Sequence, residues 1–284
     1  MRKDGEVNQN GSSPPVAPAV RRCIENLESP NPRQRSQAAA ELGEGHAVEA
    51  VPALIRVLSE DVNTYVRTAA AEALGHLGDP QAIFPLMDAL RDSSSFVRRA
   101  AAIALGQLEA KEAQAALIQA LDDPNLYVRR AAINAIGKLG IPDLGKVLLP
   151  RLDTDDPRMR RTLITALRRL KTQEAAPVLV EMLKGYQDEP GPRDLPVVKT
   201  LVIALGDLRA REAVPVLMDV VRGYVGARSL AAAALGQIGD PQACSVLVET
   251  LADPSTSLRL AALRSLGRLG CPGAAPAVRE FLKS

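Results

Sequence analysis

Residues 66–82 read VRTAAAEALGHLGDPQA, and the block returns as VRRAAAIALGQLEAKEA at 97–113 and VRRAAINAIGKLGIPDL at 128–144. Self-similarity at a period of roughly 20–50 residues marks an array of stacked supersecondary units. A column of arginines, Arg35, Arg67, Arg98, Arg129, Arg160, Arg228 and Arg259, runs through the chain, mostly 31 residues apart. A column of glycines, Gly43, Gly75, Gly106, Gly137, Gly206, Gly236 and Gly267, follows eight residues behind, and reads as the place where a missing side chain lets the two helices of one repeat approach closely. Together the columns count eight repeats.

Each repeat reads as two helices. In the block at 123–140, Asp123 and Pro124 are expected to supply an N-cap and a first-turn proline. Val128, Ala132, Ala135, Ile136 and Leu139 then recur at helical spacing before Gly140 stops the helix. Gly78, Asp79 and Pro80 combine a C-cap, an N-cap and a helix-starting proline, after which Ala82, Leu86, Met87 and Leu90 form an apolar stripe. One such pair cannot bury its apolar face alone, so the pairs must stack. The expected fold class is all-α, a right-handed α-α superhelix of about eight helix pairs. VAPAVRRCIENLES, from Val16, reads as a second helix lacking its first, an N-terminal cap. Residues 1–15, rich in Gly, Ser, Asn and Pro, read as a disordered tail, and 16–284 as a single solenoid with an insertion at 185–196.

Composition agrees with packed helices. Aromatic residues make up 2% of the chain and Trp is absent, so the core must be built from Ala and Leu at close helix spacing. Lys plus Arg number 35 against 33 Asp plus Glu, a balance that gives no global reason to expect nucleic acid or an anionic membrane. No stretch is apolar for the eighteen or so residues of a membrane span, and the first residues lack a signal-peptide core. Cys23, Cys244 and Cys271 are odd in number and form no CxxC, which argues against a disulfide framework and a thiolate metal site. A cytoplasmic location is expected.

The pattern VRxAAAxALGxLGDPxA resembles the HEAT repeats of the phycobilisome-lyase-like group over roughly residues 30–284. That resemblance implies a HEAT solenoid whose second helices line the concave side. It leaves function open among scaffolds, chaperone-like binders, lyase subunits and metal-dependent hydroxylases. A hydroxylase resembling deoxyhypusine hydroxylase would need paired His-Glu steps to hold iron. The chain has only His46 and His76, followed by Ala47 and Leu77, so no metal site is expected. A phycobilin lyase or isomerase subunit, or a chaperone for a tetrapyrrole protein, stays open; it would need Arg or Lys in the groove to anchor propionates. A nucleic-acid reading rests on one basic stripe and finds no Trp to stack a base. No Walker loop, GxSxG elbow or HExxH sequence is present. The expectation is a non-catalytic, monomeric adaptor without cofactor that binds a partner protein in its groove.

Three sets of residues are candidates for contact. The second helices carry Asp88, Glu181, Asp219, Glu249 and Glu280 in one row, suited to a partner's basic helix or tail, or else a solvated surface. The first helices carry Arg99, Arg130, Arg161 and Lys199 beside the arginine column, broadened in the fifth repeat by Arg158, Arg168, Arg169 and Lys171. This stripe is either solvated or contacts an acidic partner or phosphate. The insertion at 185–196 offers Tyr186, Asp188, Glu189, Arg193 and Asp194 as a specificity loop, with drift in a tolerated loop the alternative. Its flanking repeats are irregular, with Arg168 in the glycine column and Val198 in the arginine column. Tyr65, Phe96 and Tyr127 share a column and suit either an aromatic edge or packing over the preceding loop. The arginine column itself reads as structural, because Asp61, Asp92, Asp123 and Asp253 stand six residues before its members.

Overall fold

The computed structural model describes residues 17–186, 191, 193–223 and 226–281. Among them are 17 α-helices, nine short 3-10 turns and no strand. Backbone contacts divide the chain into two compact units, residues 1–104 and 105–284.

In the first unit the lone helix Pro18–Asn26 packs on Pro32–Glu44, as a second helix without its own first. Two pairs follow: Pro32–Glu44 with Val51–Glu60, and Thr64–Leu77 with Ile83–Ala89. First helices lie against first helices. Ala38, Ala39 and Leu42 on one, and Ala70, Ala71, Ala73 and Leu74 on the next, are buried. The second unit continues with Gln114–Gln119 and five pairs. These are Leu126–Leu139 with Leu144–Leu148, Pro157–Arg169 with Ala176–Lys184, Leu195–Asp207 with Val214–Gly223, Arg228–Ile238 with Cys244–Glu249, and Thr256–Leu269 with Ala274–Phe281.

The glycine column has a different cause from the one its sequence suggests. It was expected to let the two helices of one repeat approach. Instead, a Cβ on Gly43 would lie 2.7 Å from the Cα of Ala73, and one on Gly106 2.8 Å from the Cα of Ala135. Both contacts are with the first helix of the following repeat. Glycine meets alanine there because any side chain would force the two backbones apart.

Helix entry also differs in detail. Asn63 and Asn125, not the aspartates, cap their helices: their Oδ1 atoms accept from the amides of Tyr65 and Tyr127, both at 2.9 Å. Asp61 and Asp123 sit two residues earlier and accept from the amides of Asn63 and Asn125 at 2.8 Å. The aspartate folds the loop and the asparagine starts the helix. At the other end, Gly78, Gly140, Gly239 and Gly270 close their helices in the left-handed conformation. Where glycine is missing, His46, Glu109, Lys171 and Arg209 adopt that conformation themselves, with φ of 51°, 49°, 54° and 53°.

Cys244 and Cys271 form a disulfide, contrary to the expectation from cysteine count and spacing. Residues about one repeat apart are neighbours in a stack of repeats, so a separation of 27 in sequence becomes a Cα–Cα distance of 5.8 Å. Cysteine usage therefore no longer argues for a reducing compartment. Cys23 is a free thiol. No described helix is long and apolar enough to cross a membrane.

Candidate binding cavity

The arginine column is built into the inter-repeat loops. Arg35, Arg67, Arg98, Arg129 and Arg259 each donate from Nη1 to the carbonyl six residues upstream, at 2.8 or 2.9 Å. Arg160 makes the same contact with Thr154, and Arg228 donates to the carbonyl of Val221. The rest of the guanidinium reaches the next repeat. Arg35 grips Asp61 with Nε to Oδ2 at 2.6 Å and Nη2 to Oδ1 at 2.9 Å, and Arg67 grips Asp92 at 2.8 and 2.9 Å. In the second unit Arg228 meets Asp253 at 2.6 Å. Burial alone would raise the pKa of Asp61 and Asp92. The charge-assisted bonds from arginine and the amides of Asn63 and Ser94 outweigh it and hold both carboxyls below their ordinary value.

The acidic row of the second helices is exposed throughout: Asp88 in the first unit, and Glu181, Asp219, Glu249 and Glu280 in the second. Part of it is already matched. Lys184 donates to Glu181 at 2.8 Å, and Arg222 lies 3.9 Å from Asp219 and 4.0 Å from Glu249. Exposed pairs of this kind contribute little stability but reduce the field left for a basic partner.

The residues of the basic stripe stand in different local surroundings. Arg99, in the first unit, is half-buried with its Nε unpartnered. Arg130 and Arg161 line a cavity of about 420 Å³ with Asn134, Arg158, Thr162 and Thr165. Lys199 lines neither this cavity nor the next one. Of the insertion residues, Asp188 and Glu189 lie outside the described residues. Tyr186 faces Arg160, Arg193 is exposed, and Asp194 starts helix Leu195–Asp207 with its backbone carbonyl. Tyr65, Phe96 and Tyr127 are exposed, at 73, 57 and 56%, and are not covered by the preceding loop.

Arg168 and Arg169 belong to a cavity of about 600 Å³ in the second unit. Its lining adds Lys171, Gly206, Asp207, Arg209, Gly236, Gln237 and Arg268, so five cationic side chains face one carboxylate. That carboxylate, Asp207, is held by Arg168 at 2.8 Å. The positions recur by register. Arg169 and Arg268 each stand nine residues past a member of the arginine column, and Lys171 and Arg209 stand at the left-handed position that closes the first helix. Arg168 fills the glycine column, so the close backbone approach made at Gly43 and Gly106 is sterically barred at this level of the stack. Arg209 and Arg268 went unremarked in the sequence because they stand in separate later repeats, away from Arg168 and Arg169. Reading the columns just after the glycine would have aligned them with Arg169 and Lys171.

Paired helices in a recurrent register, with Arg35, Arg67 and Arg228 each joining its loop to the next, define an α-helical repeat protein. The family model for HEAT repeats matches residues 20–106, 85–156, 114–190, 146–224, 194–256 and 223–284, and the chain belongs to that family. Solved structures agree on the fold, an all-α superhelix. YibA of Escherichia coli is 20% identical, with 95% of this chain and 99% of that chain covered and a TM-score of 0.63. A chain from the complex of CpcE and CpcF of phycocyanin lyase from Nostoc sp. is 23% identical, with 95% and 99% covered and a TM-score of 0.53. Importin beta is 16% identical, with 90% of this chain and 41% of that chain covered and a TM-score of 0.58. At these identities the likeness is one of fold. Comparison with curated proteins finds no match.

Proposed function

We propose that the chain is a non-catalytic scaffold that binds an acidic segment of a partner protein, with the cavity around Arg169, Arg209 and Arg268 as the contact. The carrying observation is the charge of that cavity, five cations against one carboxylate. Like charges held together repel, and an anion placed among them relieves the repulsion while making charge-assisted hydrogen bonds. Within the second unit the stacked repeats supply the frame.

This reading places the contact on the first-helix edge rather than the acidic row, because Lys184 and Arg222 already answer part of that row. A protein segment suits the cavity better than nucleic acid, since no aromatic side chain lines it to stack a base and the chain's formal charge is only +2. A tetrapyrrole would find cations for its propionates. Its flat ring system would meet charged side chains and glycine rather than an apolar wall.

The test is fluorescence anisotropy with labelled Asp/Glu-rich peptides, using the native protein and the variant R169E/R209E/R268E. All three residues are exposed, so the fold should tolerate the change. Binding is expected to weaken with salt and to fall at least about tenfold in the variant, ~1.4 kcal/mol. Equal affinity for both proteins, or a bilin absorption band with no peptide bound, would count against the proposal.

A further inference from the structure

A second cavity, of about 400 Å³, lies where the arginine ladder is interrupted. It is lined by Leu152, Asp153, Arg160, Val178, Met182, Gly185 and Tyr186, none of them shared with the basic cavity. The intact rungs show what belongs opposite the arginine. Asp61 stands 26 residues after Arg35, and Asp92 and Asp253 stand 25 residues after Arg67 and Arg228. Twenty-six residues after Arg160 comes Tyr186. Its hydroxyl offers no carboxylate and meets Nη1 of Arg160 at 3.4 Å, a long contact. Nη2 is taken by the carbonyl of Thr154, and Nε is buried with no partner. Asp153, the one acid in the lining, is exposed to solvent, and no ion pair joins it to Arg160 among the described residues.

Among the described residues, Arg160 thus lacks the carboxylate that Arg35, Arg67 and Arg228 hold. The cavity beside it is walled by Leu152, Val178, Met182 and the ring of Tyr186. Val178 is 40% exposed, an apolar surface left open. We infer that this rung is a binding site for a small organic carboxylate with an apolar tail. Its head takes the place of the Tyr186 hydroxyl on Arg160, and its tail lies against Val178 and Met182. A planar guanidinium and a carboxylate form two parallel hydrogen bonds; Arg35 and Arg67 make them with Nε and Nη2, whereas on Arg160, where Nη2 already serves Thr154, the head pairs end-on with Nη1 and the second hydrogen of Nη2. The apolar lining distinguishes this ligand from free phosphate or a highly charged acid. The proposal is independent of the acidic-partner reading, since the two cavities have no residue in common.

The experiment is calorimetric titration of the full chain with octanoate and with 1-octanol. Octanoate is expected to bind, and octanol to bind at least about tenfold more weakly. Y186D supplies the missing carboxylate from within the chain, so it should abolish octanoate binding and raise the melting temperature. M182K, which leaves Arg160 untouched, should also abolish binding. The titration is repeated on D188N/E189Q, which removes the two carboxylates that follow Tyr186 in the sequence. Unchanged octanoate binding there upholds the proposal. Binding seen only in that variant means that the loop itself closes the rung, and the proposal fails. It fails equally if octanol matches octanoate, if Y186D binds octanoate as before, or if a capped Leu-Glu-Leu peptide binds at Arg160 and octanoate does not.

Discussion

Lys171 and Arg209 hold the same left-handed backbone conformation, with φ of 54° and 53°, at equivalent ends of two successive first helices, and both line the basic cavity. In the same turn of other repeats stand Gly78, Gly140, Gly239 and Gly270, for which this conformation carries no Cβ penalty. K171G and R209G should therefore each stabilise the fold, by about 1 kcal/mol, while weakening acidic-peptide binding. Urea denaturation and anisotropy measured on the same variants check both signs. A loss of stability with unchanged binding would mean that these side chains serve the fold rather than a ligand.

Two glycines of one column should respond oppositely to alanine. At Gly106 the new Cβ would sit 2.8 Å from the backbone of Ala135, an overpacking expected to cost about 1–3 kcal/mol. At Gly267, in the last repeat, no atom lies within 4 Å. There G267A should be neutral or stabilising by up to about 1 kcal/mol, the helix-propensity gain of alanine over glycine. Thermal melts of the two variants test this, and equal destabilisation would show that the column is not about close approach to the following repeat.

Acid should loosen the arginine ladder. The folded carboxyls of Asp61 and Asp92 titrate below their ordinary value, so the unfolded chain binds protons first as pH falls. Their contribution is complete above the unfolded value of about 3.9 and is lost as pH drops below it and through the folded one. D92N should lower stability at neutral pH and flatten the acid limb of a stability profile. An acid limb as steep as that of the native chain would remove Asp92 from the account.

Reduction should weaken the last repeats. Cys244 and Cys271 close a loop across one repeat, and C244S/C271S or treatment with a thiol should cost about 2–4 kcal/mol. Arg268 is three residues from Cys271, so the same variant should also weaken acidic-peptide binding. Hydrogen exchange confined to residues 228–281 is the expected signature. Uniform loosening along the chain would contradict a local tether.

The repeat was legible in sequence because it is written in columns: Arg67, Gly75 and Gly78 each have a local backbone or packing role that recurs. Helix number, the single helix at the N-terminal end and the turns followed from it. What stayed hidden depends on neighbours one repeat away. The pairing of Cys244 with Cys271, the contact of Gly43 with Ala73, and the meeting of Arg160 with Tyr186 are each contacts between repeats. Local propensity does not register them; counting forward by one period does. The basic cavity was half visible, in the run from Arg158 to Lys171, and its other half, Arg209 and Arg268, lay in later repeats. The partial pairing of the acidic row with Lys184 and Arg222 emerges only from geometry.

The central claim is that the cavity recognises negative charge on a protein segment, and a charge swap addresses it most directly. An acidic peptide that binds the native chain is compared with its Lys-substituted counterpart, each titrated by anisotropy against the native protein and R169E/R209E/R268E. The account predicts that the acidic peptide binds only the native protein and that the Lys peptide gains affinity for the reversed one. If the reversal leaves both affinities unchanged, the cavity is not the binding site.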